Sequence, residues 1–181
     1  GKTLWEKYGE THGCHVGDSL HLMNPDALFW WRVFWDQLNR IGKDNVRLVT
    51  GPAGSGKTTW IKTLLRDTRI DTDRVFLCAP TGVACERLRA ELRKDGPGSL
   101  PAELAKALSD RVETPHTRYE MSDAQHKQEG FPEWLADWTP LKCGKGKETL
   151  SILDEALNAD LRTCALMLLK VRTGGQLILV G

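Results

Sequence analysis

The chain has 181 residues, of which 40% are hydrophobic and 27% charged, with a formal net charge of +1. This describes an ordinary globular chain of about one domain with a real core, and a bulk charge that neither proclaims nor excludes a polyanionic partner. No apolar run approaches the ~18 residues of a membrane span and the first residues carry no signal-peptide core, so no membrane partner is expected.

Residues 1–22 are polar and weakly periodic, and read as an N-terminal arm preceding a domain over 23–181. His12, Cys14, His15 and His21 crowd there, in a spacing that matches no standard zinc pattern. The five cysteines are odd in number, scattered and without C-x-x-C pairs. That usage suits a reducing, intracellular setting: cytoplasm, nucleus or a viral replication site. Asn24-Pro25-Asp26 then starts a helix. Its Leu28, Trp31, Trp35 and Leu38 form a stripe that Phe29, Trp30, Val33 and Phe34 widen, which predicts core packing rather than base stacking.

The β-rich run Asn45-Val46-Arg47-Leu48-Val49-Thr50 predicts a strand that ends on Gly51-Pro52-Ala53-Gly54-Ser55-Gly56-Lys57-Thr58. This stretch fits G-x-x-x-x-G-K-[ST] without a mismatch. Its glycines let the backbone curl and aim successive N–H groups at a phosphate, Lys57 adds a point charge, and Thr58 offers a hydroxyl to Mg²⁺. Trp60, Ile61, Leu64 and Leu65 follow at helical spacing, so Thr59 falls in the first turn of a helix whose positive end completes the anion site. A nucleoside triphosphate with Mg²⁺ is the expected ligand of residues 51–59.

Val75-Phe76-Leu77-Cys78-Ala79-Pro80 predicts a second buried strand, followed by Thr81-Gly82 and a helix with Ala84, Leu88 and Leu92 on one face. Two strand–loop–helix units in succession predict a parallel α/β sheet, with ligands at the strands' carboxyl ends, so Thr81 and Gly82 belong on the rim that holds the phosphate loop. From Lys57 to Lys94 there are nine Lys/Arg against five Asp/Glu, a bias that fits a solvated helix face as well as a nucleic acid. Leu100, Leu104 and Leu108 mark another helix. Residues 111–147 read as a small insertion, helical around Trp134 and Trp138, whose basic loop 142–147 is either a solvated turn or a phosphate contact.

Thr149-Leu150-Ser151-Ile152-Leu153 predicts a third strand, with Asp154-Glu155 at its tip. Downstream of a phosphate loop this pair has the form of a Walker B element: Asp154 for Mg²⁺, Glu155 as general base toward the attacking water. Leu157, Leu161, Ala165 and Leu168 predict one more helix, and Gln176-Leu177-Ile178-Leu179-Val180 a fourth strand.

Further motifs narrow the class. Ala79-Pro80-Thr81-Gly82-Val83-Ala84 resembles motif Ia of superfamily-one helicases, Thr114-Pro115-His116-Thr117 their Thr-x-His element, and Gly174–Gly181 the stretch leading into motif III. With the phosphate loop and Asp154-Glu155, the order is similar to the first motor domain of the 5′-to-3′ branch, the PIF (petite integration frequency) and RecD-type helicases. The resemblance implies a RecA-like P-loop NTPase fold, a three-layer parallel sheet with helices on both faces. It implies an ATP-dependent helicase or translocase with ATP and Mg²⁺ as cofactors. It also implies contact with single-stranded nucleic acid, DNA rather than RNA, through Pro80, Thr81, Gly82 and His116. Ala27 stands where the family carries an adenine-reading Gln, and Ala156-Leu157 where Ser-Met is common. The implied partner is a second motor domain with arginine fingers, without which these 181 residues should bind Mg-nucleotide yet hydrolyse it poorly. A P-loop kinase or other phosphotransferase, and a non-catalytic nucleotide-dependent binding module, are the competing readings.

Overall fold

The computed structural model describes residues 25–118 and 147–181. The arm with its His/Cys group, the Trp134–Trp138 segment and residues 142–146 of the basic loop lie outside the described residues.

Four short strands form one parallel sheet: β1 (Val46–Val49), β2 (Val75–Cys78), β3 (Leu150–Leu153) and β4 (Gln176–Val180), in the order β1-β4-β3-β2. The registers align Val46 with Leu177, Val75 with Leu150 and Leu150 with Gln176. All four strands therefore end on the same rim. β2, β3 and β4 are nearly continuous apolar runs because both of their faces are covered, and successive side chains alternate between two cores. Val75, Leu77, Leu150, Ile152, Ile178 and Val180 face one core; Phe76, Cys78, Leu153 and Leu177 face the other.

Helices α2 (Lys57–Leu65), α3 (Gly82–Arg93) and α4 (Ala102–Asp110) cover the first face with Ile61, Leu65, Ala84, Leu88, Leu92, Ala105 and Leu108. The second face is covered by α1 (Pro25–Ile41) and α6 (Leu161–Lys170), through Ile41, Met167 and Leu168. A one-turn helix, α5 (Pro115–Arg118), lies between α4 and β3 in sequence. This is the predicted three-layer α/β arrangement. Arg40 binds α1 to α6: its Nη2 donates to the carbonyls of Leu168 (2.9 Å) and Val171 (2.7 Å) at the end of α6.

Two sequence expectations need correction. On α1 the buried face runs through Trp30, Val33 and Ile41, whereas Trp31 and Trp35, predicted to centre the stripe, are 43% and 39% exposed. Trp31 instead stacks on Phe34 at 5.5 Å and meets Trp35 edge-on. Aromatic residues surround this helix, so periodicity alone could not choose the face; packing on α6 does. Leu157 is not part of α6 but of a 3₁₀ turn, Ala156–Asn158, and is 75% exposed. The helix begins later because Asp160 caps it, its carboxylate accepting from the Thr163 N–H at 2.6 Å.

Among the described residues β1 is an edge strand, with Arg47 and Leu48 exposed. Its last rung is the Gly181 N–H donating to the Val49 carbonyl at 2.9 Å. Among the described residues no helix is long and apolar enough to cross a membrane.

Candidate nucleotide site and the rim around it

The predicted phosphate loop leaves β1 and enters α2 through backbone that needs glycine. Gly54 and Gly56 have φ of 77° and 90°, a region where a Cβ is strained. Gly51 matters in a different way: a Cβ there would stand 2.5 Å from Ser55 Oγ, which would have to turn aside. The Ser55 N–H donates to the Pro52 carbonyl (3.1 Å) and the Trp60 N–H to the Gly56 carbonyl (2.9 Å), which closes the turn and starts the helix. The N–H groups of Lys57, Thr58 and Thr59 in that first turn have no residue four positions back within the helix to bond, and present the positive end of its dipole. The Lys57 ammonium folds over the loop and donates to the carbonyls of Gly51 and Pro52. Ala53 and Ser55 are exposed.

Asp154 and Glu155 stand at the end of β3. The Asp154 N–H continues the ladder by donating to the Cys78 carbonyl at 2.9 Å, and the Asp154 carboxylate accepts from the Glu155 N–H at 2.9 Å. Burial pushes the Asp154 carboxyl above the usual carboxylate range; that N–H and the positive charge of Lys57 pull the other way. The positive charge of Lys57 thus reaches Asp154 across the rim, even though β4 separates their strands. The sequence placed both at strand ends; the parallel sheet brings the ends together. Glu155 has φ 51° and ψ 40°, the one positive φ outside glycine among the described residues. Such backbone costs a non-glycine residue about 1–3 kcal/mol and is concentrated at functional sites. Its carboxylate Oε1 lies 3.6 Å from Nη1 of Arg87 on α3.

The residue types present fit Mg²⁺ held jointly with a substrate. Among the described residues no group of three or more His, Cys, Asp or Glu is placed to cage an ion. One carboxylate (Asp154) and one hydroxyl (Thr58), both oxygen donors, are the set with which Mg²⁺ is held when phosphates and water complete its shell.

The residues predicted to touch a nucleic-acid strand lie on the same rim or next to it. Pro80 leads into Thr81, whose hydroxyl accepts from the Ala84 N–H at 3.1 Å and so caps α3. Gly82 is exposed, has an ordinary φ, and a Cβ there would meet nothing within 4 Å, so the chain's own packing does not demand glycine. His116 has an intramolecular contact: its Nε2 is 3.2 Å from Thr163 Oγ1, and Thr163 is buried at the start of α6. Thr114 caps α5 by accepting from the Thr117 N–H at 3.2 Å.

Two features were not anticipated. One is Arg87, which helical periodicity marks only as an exposed position. The other is a cleft of about 600 Å³ beside β2, lined by Gly82, Arg89, Glu113, Thr114, Thr117 and Arg118 among others. Its charges are mostly matched internally: Arg118 Nε donates to Glu148 (2.9 Å) and its guanidinium lies over the Phe76 ring at 5.4 Å, while Arg89 donates to the Val112 carbonyl. No local pattern predicts either, because both depend on which strands are neighbours.

No curated protein matches the sequence. A protein-family model described as an AAA domain matches residues 39–181, a span that takes in all four strands, the phosphate loop and Asp154-Glu155. With its all-parallel sheet and glycine-bent phosphate loop, the chain belongs to the AAA domain family, and is a nucleotide-hydrolase domain of the α/β P-loop NTPase fold.

Proposed function

We propose that this domain is the first motor domain of a superfamily-one helicase of the 5′-to-3′, PIF or RecD-type branch, burning ATP to move along single-stranded DNA. The observation that carries the reading is the shared rim, where a lysine-bearing loop, an acidic pair and the Thr81-Gly82 helix start face the same side of one sheet.

In this reading the N–H groups of Gly54 to Thr59 and the Lys57 ammonium hold the β- and γ-phosphates of ATP. Thr58 and Asp154 would hold Mg²⁺, which when bound would supply charge neutralisation for the phosphates. Glu155 accepts the proton of the water that attacks the γ-phosphorus; the bond to the β-bridging oxygen breaks, leaving ADP and phosphate. The Asp154 carboxyl, raised by burial, gains from a nearby cation, which favours its charged form. On the other side of the rim, Pro80, Thr81, Gly82 and the His116 turn would follow the strand's backbone. Gly82 leaves room for a phosphate or sugar to approach the backbone. His116, joined to Thr163, would shape the turn rather than contribute a free donor at Nε2. The second motor domain would supply arginine fingers, worth roughly 10³–10⁵ in turnover.

The test is phosphate release by the full-length protein with and without oligodeoxythymidine, alongside calorimetry of ATP and Mg²⁺ on wild type and Lys57→Ala. Strand-stimulated release in the wild type, and loss of nucleotide binding in the variant, are expected. Phosphate transfer to a small acceptor, with no response to the strand, would replace the helicase reading by a phosphotransferase.

A further inference from the structure

The cleft beside β2 reaches the rim. Glu113, on its wall, forms a parallel bridge with Cys78, the last residue of β2, and the Cys78 carbonyl in turn takes the Asp154 N–H. Gly82 and Thr114, which flank the path the strand would follow, also line it. Its volume of about 600 Å³ lies in the range that holds small organic ligands.

What the walls offer decides what can enter. Three guanidiniums line the cleft, and each is committed to other acceptors. Arg89 bonds Glu86 and the Val112 carbonyl, Arg111 the carbonyls of Thr72 (2.8 Å) and Asp73 (3.2 Å), and Arg118 the buried Glu148. The hydroxyls of Thr114 and Thr117 lie 3.1 Å from one another. Glu113 differs from all of these. Its side chain is 33% exposed, and its ion-pair contact with Arg118 Nη1 is 4.0 Å long, beyond hydrogen-bond reach. Among the described residues its carboxylate accepts no hydrogen bond, although the bridge to Cys78 fixes the backbone that carries it. A phosphate is repelled by such a wall and stays at the rim. An uncharged group that donates is drawn in.

We propose that the cleft receives one base of the bound strand and that Glu113 reads it, accepting a hydrogen bond from an exocyclic amino group. Cytosine carries its N4 amino group where thymine carries O4, an acceptor that a carboxylate repels. The bond to the amino group is charge-assisted, and so among the stronger single contacts a base can make. The strand is then gripped with a preference for amino-bearing bases over thymine, added to phosphate contacts that carry no sequence information. This inference rests on the helicase reading above and adds a base preference to it.

The experiment compares fluorescence-labelled oligodeoxycytidine and oligodeoxythymidine of equal length, binding to the full-length protein by anisotropy, for wild type and Glu113→Gln. ADP affinity by calorimetry checks that the variant folds, and the wild-type ratio is a test that needs no variant. The wild type should bind oligodeoxycytidine about 5–10-fold more tightly. Glu113→Gln, whose amide can donate to thymine O4 as well as accept from cytosine N4, should bring the two strands within about twofold at unchanged ADP affinity. If the wild type binds both strands equally, or Glu113→Gln keeps the wild-type ratio, base reading by Glu113 is wrong and the helicase reading stands. If the wild type binds neither strand, the helicase reading falls and the base preference with it.

Discussion

The phosphate loop and the Thr81–His116 side of the rim are built on opposite principles. Between Gly51 and Thr58 every requirement is local: two glycines supply positive φ, a third removes a clash with Ser55 four residues on, and the helix that follows supplies the dipole. Across the rim the requirements are tertiary. Thr81 caps its own helix, but Arg87 meets Glu155 68 positions later in the chain, and His116 meets Thr163 across 47 positions. A site made of backbone geometry tolerates little change in its own sequence; one made of distant side-chain contacts can be adjusted one contact at a time.

The largest expected effect sharpens this contrast at the acidic pair. Glu155→Gln should lower turnover by about 10²–10⁴, the usual worth of a positioned base, while calorimetry shows nucleotide affinity nearly unchanged. A variant that hydrolyses ATP within a few-fold of wild type would remove Glu155 from the chemistry. Next come paired glycine substitutions. Gly54→Ala should cost about 1 kcal/mol or more in denaturant unfolding, because alanine is strained at φ 77°, and should weaken nucleotide binding as well. Gly82→Ala, at an ordinary φ with open space around it, should change stability by less than about 0.5 kcal/mol and weaken only strand binding. Equal unfolding costs for the two would erase the distinction drawn here. Thr81→Ala should cost roughly 1 kcal/mol as a lost helix cap, measurable as a lower denaturant midpoint.

The smallest effect on stability concerns Asp154. Burial raises its folded-state pKa, so the folded chain holds the proton more tightly than the unfolded chain does. Its contribution to stability is greatest at low pH and declines as pH rises through the carboxylate range and the group ionises. Asp154→Asn should therefore give a slightly higher Tm at pH 7 in the absence of nucleotide, and flatten that decline, while Mg²⁺-dependent turnover is lost. A lower Tm in the variant would show that the carboxylate stabilises the free fold.

Much of this was legible in the sequence for the same reason that the phosphate loop is robust. β-rich runs that stop at glycines or at Asp-Glu mark strands, and all four predicted strands occur within a residue or two of their expected ends. The order β1-β4-β3-β2 was not legible, because no single strand records its neighbour. Arg87 and the cleft beside β2 were hidden with it. The orientation of α1 was missed for a different reason: Trp30, Trp31, Phe34 and Trp35 offer hydrophobic surface in several directions, and only contact with α6 selects among them.

Among the described residues the phosphate loop is suspended from a strand zipped along one margin only, and the rung nearest to it joins Val49 to Gly181. Fraying should start at that margin, so deuterium uptake at Gly181 and along β1 should outpace uptake along β3, which is flanked on both sides. Nucleotide seated in the loop would clamp the loose margin, turning uptake at those amides into a gauge of occupancy.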